Sequence, residues 1–128
     1  MGKTGGRTQR QRNAHRFGVE AERVAVLYLK AKGYRILKTR YKVRAGEVDI
    51  VARTGETLVF IEVKRRQSHS EALTSLTPRQ RERIVRAAHY WLAENALPLS
   101  TDCRFDMIVF SAYLVPHHIT NAFSSDGT

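Results

Sequence analysis

The chain has 128 residues, 42% of them hydrophobic, which suits one compact domain with its own core and is too short for two ordinary domains. Its 22 Lys and Arg outnumber 12 Asp and Glu, and the net charge of +10 favours a nucleic-acid partner, although a basic soluble or ribosome-associated protein has the same composition. No apolar run approaches the roughly 18 residues of a membrane helix, no signal peptide is recognisable, and the single Cys103 cannot form an internal disulfide, so we expect a cytoplasmic protein with no membrane partner.

The N-terminal segment and the first helix differ sharply in composition. Residues 1–16 contain five basic side chains, no carboxylate and almost nothing apolar, which predicts a disordered basic arm. Attachment to nucleic acid and a solvated tail are both open interpretations of this arm. From Phe17 to Lys32 apolar residues recur at helical spacing, and Gly33 is a suitable C-terminal cap.

Three strands are predicted after this helix. Tyr34 to Leu37 is predicted as a short strand, and the basic segment from Lys38 to Ala45 as its link to a strand that opens after Gly46. Gly55 lies in the short connection to a second apolar segment, Leu58 to Lys64. A hairpin turn at Gly55 would make these two strands antiparallel neighbours.

The second half of the chain contains a loop, a helix and two strands. Residues 65–76 have no period and are predicted as a loop. A second helix begins at Thr77 with a capping box that involves Gln80, and Pro98 stops it. Strands are predicted from Arg104 to Phe110 and around Tyr113 to Ile119. The element order is therefore α-β-β-β-α-β-β, in one domain over residues 17–123 with a flexible tail at 124–128.

Four charged residues interrupt the two apolar hairpin strands. Because strand side chains alternate between faces, Glu47 and Asp49 should share one face, and Glu62 and Lys64 should share one face. Asp49 and Glu62 are 62 − 49 = 13 positions apart, with Gly55 almost midway, so pairing about the turn would place them roughly opposite each other.

Two adjacent carboxylates need a compensating charge. At about 4 Å they repel by roughly 4 kcal/mol at an effective dielectric constant near 20. A divalent cation with oxygen ligands offsets this, which favours Mg²⁺ or Mn²⁺ over Zn²⁺. Lys64 beside such a site could orient a water or neutralise a phosphate. The alternative is a solvated strand face in which Glu62 and Lys64 form an ordinary exposed pair.

The same residues carry a family resemblance. The order of Asp, a short gap and Glu-x-Lys across a hairpin resembles the PD-(D/E)xK nuclease superfamily, which includes restriction endonucleases and Holliday-junction resolvases. More closely, the chain resembles the bacterial YraN-like family of uncharacterised proteins. The segments that carry this resemblance are Gly18-x-x-x-Glu22-x-x-Ala25, Tyr28-Leu29, Gly33-Tyr34, Gly46-Glu-Val-Asp49, Leu58-Val-Phe-Ile-Glu-Val-Lys64 and Arg104-Phe-Asp106.

The resemblance implies an α/β, restriction-endonuclease-like fold with a mixed central sheet flanked by helices. It implies metal binding by Asp49 and Glu62, a place for Lys64 beside the attacking water, and an additional acid at Glu22. An acid favoured by the macrodipole near the start of the helix is the alternative for Glu22. Val48 replaces the superfamily's proline, and Glu47 is an extra acid that could be a ligand or a neighbour of the site. Superfamily members often dimerise, so a homodimer is a further expectation.

Several other residues have weaker functional claims. Five arginines are candidates for contact with nucleic acid: Arg65, Arg66, Arg79, Arg83 and Arg86. Trp91 is predicted to lie in the core, Asp106 to be a buried hydrogen-bonded acid, and at most one of His117 and His118 to join any site. The leading hypothesis is a Mg²⁺- or Mn²⁺-dependent nuclease acting on DNA, with branched or repair-related structures as candidate substrates. The alternative is a nucleic-acid-binding protein that keeps the fold without cutting.

Overall fold

The computed structural model describes residues 8–111 and 114–126, with the backbone alone for residues 10–17. Among these residues the elements are α1 (Gln9–Ala31), β1 (Arg35–Val43), β2 (Gly46–Thr54), β3 (Thr57–Arg65), α2 (His69–Ser75), α3 (Pro78–Glu94), β4 (Cys103–Phe110) and β5 (Pro116–Phe123). The strands form one sheet in the order β1-β2-β3-β4-β5. Only β3 and β4 are parallel, and the other neighbours are antiparallel, so the predicted mixed α/β sheet is confirmed.

The sheet has a hydrophobic core on each face. We call the first the α1-side core, formed by Ala21, Ala25, Leu29, Ile50, Ala52, Val59, Ile61, Ile108 and Phe110. The second, the α3-side core, includes Tyr41, Val48, Val51, Leu58, Phe60, Ala72, Ile84, Ala88, Leu92, Phe105, Met107 and Val109. Consecutive residues of β3 alternate between the two cores, which is the period of a strand buried on both faces.

The first helix is longer than its apolar pattern predicted. It begins at Gln9 and not at Phe17, so residues 9–16 of the predicted disordered arm have a helical backbone. Residues 1–7 of that arm lie outside the described residues. At the other end Gly33 has φ 92°, and the Tyr34 N–H donates to the Leu29 carbonyl, so the predicted glycine cap is confirmed.

The predicted hairpin is also confirmed. Strands β2 and β3 are antiparallel, Thr54 pairs with Thr57, and Gly55 has φ 59° in the turn between them. A left-handed conformation at this position is why glycine suits the connection.

The crossover from β3 to β4 contains the main difference from the predicted order. Parallel neighbours need a long connection, and here it holds two helices. The predicted loop over residues 65–76 contains α2, whose buried Ala72 packs in the α3-side core and whose N-cap is Ser68. A seven-residue helix with one buried position is too short to leave a periodic signal. The next helix, α3, has the predicted capping box between Thr77 and Gln80.

The edge strands differ from prediction in their limits. β1 continues to Val43, through most of the segment that was predicted as a basic link, because an edge strand tolerates exposed charged side chains. β5 begins at Pro116 and ends at Phe123, later than predicted, and residues 112–113 lie outside the described residues. Within the described part of the chain, no helix has both the length and the apolar character that a membrane crossing requires.

Candidate active site

The candidate site lies where the ladder between β2 and β3 stops. The last recorded pair is Ile50 with Ile61, and continuing this register by one step sets Asp49 opposite Glu62. At this point the Val63 N–H donates to Asp49 Oδ2 at 2.8 Å. The Asp49 side chain therefore satisfies a strand N–H just beyond the end of the paired ladder.

The two carboxyl groups act on each other in opposite senses: Asp49 raises the pKa of Glu62, whereas the hydrogen bond with Glu62 lowers the pKa of Asp49. Burial, followed by repulsion from Asp49 and a hydrogen bond with it, raises the pKa of Glu62 to about 8. Burial likewise raises the pKa of Asp49, against the hydrogen bond from the Val63 N–H. The nearby Lys64 ammonium acts in the opposite sense on both groups. The pair is therefore a place where added positive charge is favourable.

Lys64 supplies one such charge from the same strand. Its Nζ lies 3.8 Å from Glu62 Oε2, and each of the two side chains is 17% exposed. This pair is not the ordinary exposed ion pair that was the alternative interpretation. A half-buried ammonium at this distance interacts more strongly than a fully solvated one.

Glu47 and Asp49 do not lie on one face of β2 as predicted, because the strict alternation of faces is interrupted between Val48 and Ile50. Val48 packs in the α3-side core and Ile50 in the α1-side core, although they are two residues apart. The neighbouring strand β1 changes face at the same level, because Tyr41 is opposite Val48 and Thr39 is opposite Ile50. Both strands thus change face at one position, occupied by Asp49 on β2 and by the residue between Thr39 and Tyr41 on β1.

That residue is Arg40, which no pattern in the sequence singles out. It has φ 52°, a left-handed conformation within a strand, and its Nε donates to Glu22 Oε1 and Oε2 at 3.1 and 3.3 Å. Nothing in the local pattern reports a positive φ at an arginine. The only available signal was its position, nine residues before Asp49 across the tight β1–β2 turn.

Glu22, Arg40, Asp49 and Lys64 line one cleft of about 460 Å³ between α1 and the sheet. Its other lining residues are Gly18, Val19, Ala21, Val63, Arg65 and Arg66. The structure thus brings the predicted Glu22 to the same cleft as Asp49 and Lys64, while Glu62 contacts the site from beside Lys64. Four cationic side chains and two carboxylates line this cleft.

The donor set fits a hard divalent cation better than a softer metal. Within residues 8–111 and 114–126, no three His, Cys, Asp or Glu side chains are arranged to hold a metal ion. Asp49 and Glu62 would supply two carboxylates, and Mg²⁺ commonly takes one or two with water and phosphate oxygens completing its shell. Because the pKa of both carboxyls is raised, mainly by burial, a cation beside them would favour their ionised forms.

Comparison with known proteins places the chain in a family. The sequence profile of the uncharacterised protein family UPF0102 matches residues 21–110, a span that contains every charged residue of the candidate site. The chain belongs to the UPF0102 family. This confirms the membership of the YraN-like family that the sequence motifs predicted.

Members of UPF0102 from several bacteria are similar over most of the chain. A UPF0102 protein of Bradyrhizobium diazoefficiens is 44% identical over 112 residues, which are 88% of this chain and 84% of that protein. One from Maricaulis maris is 46% identical over 111 residues, 87% of each chain. One from Methylocella silvestris is 42% identical over 109 residues, 85% of this chain and 88% of that protein. Their names state no activity.

In this member of UPF0102 the third predicted metal ligand has another partner. Glu47 Oε1 accepts a hydrogen bond from Arg83 Nη2 of α3 at 2.8 Å, with both side chains more than a third exposed. The negative charge of Glu47 still acts on the site, because it raises the pKa of Asp49 and of Glu62. Glu47 therefore acts on the site at a distance.

The five predicted nucleic-acid-binding arginines fall into two groups. Arg65 and Arg66 line the cleft, where Arg66 Nη1 donates to the Arg65 carbonyl at 2.6 Å. The others belong to α3, on the opposite side of the sheet from α1: Arg83 pairs with Glu47, Arg86 pairs with Glu82 at 2.7 Å, and Arg79 is exposed. Geometry thus associates only the first group with the candidate site.

A second polar cluster of the UPF0102 chain lies beside α1's C-terminus. Asp106, 1% exposed, accepts hydrogen bonds from Arg104, His118 Nε2 and the Asn121 N–H at 2.8 to 2.9 Å. The predicted buried acid is therefore confirmed, and His118, not His117, is the histidine that joins it. Burial opposes ionisation of Asp106, but these donors outweigh it and lower its pKa. Trp91 packs against the α3-side core as predicted.

Proposed function

We propose that this protein is a divalent-metal-dependent nuclease with a restriction-endonuclease-like fold. The observation that carries the proposal is the arrangement at the end of the β2–β3 ladder, where Asp49 meets Glu62 and Lys64 Nζ lies 3.8 Å from Glu62. Two carboxylates and a lysine in that arrangement suit phosphodiester hydrolysis. The fold proposal is supported by a mixed five-stranded sheet with helices on both faces.

Each residue has a role that its surroundings support. Asp49 and Glu62 would hold Mg²⁺ or Mn²⁺, which when bound supplies Lewis-acid stabilisation of the charge that develops on phosphorus. The Lys64 ammonium would donate to the attacking water or to a phosphate oxygen. Asp49 is kept in place by the Val63 N–H, so one of its oxygens is oriented before any ligand binds.

The charge around the cleft supports a nucleic-acid substrate. The lining carries Arg40, Lys64, Arg65 and Arg66 against Glu22 and Asp49, in a chain with a net charge of +10. Phosphate groups would meet this cationic border before they reach the carboxylates. We propose DNA as the substrate, with branched or repair-related structures as the first to test.

The proposal is tested with the purified full chain and a panel of single-stranded, duplex, flapped and four-way DNA. We expect cleavage with Mg²⁺ or Mn²⁺ and none in EDTA. Asp49→Ala and Lys64→Ala should each lower the rate by about 100-fold or more, since each removes a group that acts on the transition state. The matched control is Lys38→Ala, because Lys38 is an exposed lysine on β1 that does not line the cleft.

Two results would reject the proposal. Cleavage that continues at the same rate in Asp49→Ala and Lys64→Ala would assign it to another site or to a contaminant. Absence of cleavage on every substrate with either metal, together with metal-independent and salt-sensitive binding, would favour the second candidate function. That candidate is a nucleic-acid-binding protein without catalysis, and the shortage of a third metal-ligating side chain in the described residues is the observation that favours it.

A further inference from the structure

Arg40 has a backbone conformation that arginine rarely adopts. Its φ of 52° lies in the left-handed region, which is strained for a residue with a Cβ and persists only where the surroundings hold it. Residues held in this way concentrate at functional sites. The strain at Arg40 occurs where β1 and β2 change face together, and therefore directly beside Asp49.

The register gives the position of Arg40 relative to the candidate site. Thr39 pairs with Ile50 and Tyr41 pairs with Val48, so Arg40 is the residue opposite Asp49. Both line the cleft, together with Glu22 from α1. The left-handed turn of the backbone is thus what brings an edge-strand side chain to the cleft between α1 and the sheet.

The contacts of Arg40 leave most of its guanidinium available. Nε donates to both oxygens of Glu22, and within the described residues neither Nη group has a hydrogen-bond partner. The Arg40 side chain is 59% exposed, whereas that of Glu22 is 18% exposed. Glu22 therefore holds the Nε edge, and the four N–H groups of Nη1 and Nη2 are free to bind a ligand.

We propose that Arg40 binds a phosphate group of the nucleic-acid strand that enters the cleft, next to the phosphate that lies at Asp49 and Glu62. The nature of this ligand rests on the proposed function. A planar guanidinium matches the oxygens of a phosphate, and orientation by Glu22 lowers the entropy lost when it binds. Glu22 is then the residue that holds Arg40, a role different from that of the additional acid that the resemblance implied.

The test measures binding and not cleavage. The full chain is titrated into fluorescein-labelled duplex and single-stranded DNA in EDTA, and the observed association constant is measured by fluorescence anisotropy over a series of NaCl concentrations. Loss of one phosphate contact lowers the slope of log K against log salt by about 0.9 for duplex and about 0.7 for a single strand.

Three variants separate the phosphate contact from general effects of charge and fold. Arg40→Asn removes the cation while keeping a residue that tolerates the left-handed conformation. Arg35→Asn is the matched control, since it removes the same charge from the same exposed edge strand about 16 Å away. Glu22→Gln breaks the ion pair with Arg40 but leaves the guanidinium in place.

We expect Arg40→Asn to lower the slope by the amount for one phosphate and to weaken binding several-fold, with a melting temperature no lower than that of the wild type. Arg35→Asn and Glu22→Gln should keep the wild-type slope. Equal slopes for Arg40→Asn and Arg35→Asn would overturn the proposal.

Failure of this proposal can be distinguished from failure of the proposed function. Arg40-dependent binding without any cleavage would reject the nuclease and leave the phosphate contact in place. Metal-dependent cleavage together with an unchanged salt slope in Arg40→Asn would support the nuclease and reject the phosphate contact at Arg40. Absence of salt-sensitive binding to either form of DNA would reject the Arg40 proposal outright.

Discussion

Glu62 is an acid whose ionisation is costly at the candidate site. Its pKa is raised to about 8 by burial and by Asp49, so at neutral pH the folded chain favours the protonated acid. A carboxyl group in this condition lowers stability as it ionises. Such a cost is retained where the group has a task other than folding, and here that task is the proposed binding of a cation.

The first stability prediction concerns Glu62→Gln in the presence of EDTA. The unfolded-state pKa of a glutamate is near 4.3, and the folded-state value is about 8. Wild-type stability should therefore fall as pH rises through this interval, while the neutral amide is unaffected. We expect Glu62→Gln to be more stable by about 1–3 kcal/mol at pH 8 and to show little difference at pH 5. Urea denaturation at both values measures it.

The control for this prediction is Glu56→Gln, which alters an exposed glutamate next to the hairpin glycine. Its stability should match that of the wild type at both pH values. Addition of Mg²⁺ should stabilise the wild type and not Glu62→Gln, since one of the two carboxylates is lost. A Glu62→Gln variant that is destabilised equally at pH 5 and pH 8 would contradict the raised pKa.

At the scale of single residues, the sequence indicates which residue types form the site but not the backbone conformations that position them. Asp49, Glu62 and Lys64 were found because alternation and a short turn are visible in the order of residues. Arg40 was missed because its role depends on a positive φ and on a contact with Glu22, 18 positions away. The coordinated change of face at Arg40 and Asp49 is likewise a property of two paired strands, which a period-two pattern along one strand does not contain.

At the scale of elements, β2 is joined closely to α3 through Gly46. A Cβ added at Gly46 would lie 2.8 Å from the Ala87 nitrogen and 2.9 Å from the Arg83 carbonyl oxygen. Both are backbone atoms of a helix and cannot move aside independently. Glycine is therefore needed here for close approach, and this approach fixes the start of the strand that carries Asp49.

We predict that Gly46→Ala lowers the free energy of unfolding by about 1–3 kcal/mol, because the helix and strand must separate to admit the methyl group. Gly18→Ala is the matched control, since no atom outside its own helix lies within 4 Å of the added Cβ. This variant should gain about 0.5–1 kcal/mol from the lower entropy of alanine in a helix. Thermal denaturation measures both, and equal stability of Gly46→Ala and the wild type would refute the close contact.

The elements with strong local signals were predicted well. The hairpin about Gly55 and the capping box at Thr77 and Gln80 each depend on residues close in sequence. The short α2 was missed because one buried residue in seven gives no period. β1 was predicted too short because its outer side chains are basic, so that apolar alternation stops at Leu37 although backbone pairing continues to Val43.

At the scale of the whole molecule, one buried acid connects distant parts of the chain. Asp106 on β4 accepts hydrogen bonds from His118 and from the Asn121 N–H, both on β5. It also accepts from Arg104, which donates a further hydrogen bond to the Tyr34 hydroxyl after α1. Lys32 Nζ lies 2.8 Å from His118 Nδ1. Because an ammonium only donates, His118 accepts at Nδ1 and donates from Nε2 to Asp106.

Replacing Asp106 with Asn should lower stability by about 3–5 kcal/mol at pH 7, because a half-buried guanidinium loses its charged partner. Because the pKa of Asp106 is lowered in the folded state, its contribution to the free energy of unfolding is complete above the unfolded-state pKa. This contribution disappears as pH falls through the folded-state pKa. The difference between wild type and variant should therefore shrink below about pH 4.

The matched control for Asp106→Asn is Asp102→Asn, an exposed acid just before β4 whose carboxylate accepts from the Thr57 hydroxyl. Its effect should stay below about 1 kcal/mol at every pH. Denaturant unfolding from pH 3 to pH 7 measures both variants. A constant difference for Asp106→Asn across this range would show that ionisation of Asp106 does not support the fold.

The position of β1 at the border of the sheet has a consequence for self-association. Its outward residues include Arg35, Lys38 and Lys42, all exposed, and its pairing is irregular at Leu37. A second copy that extended the sheet there would align two rows of like charge on a bulged backbone. Natural proteins use both features to prevent edge-to-edge aggregation. The strand that supplies Arg40 to the cleft is therefore also an edge that disfavours pairing with a second copy of the chain.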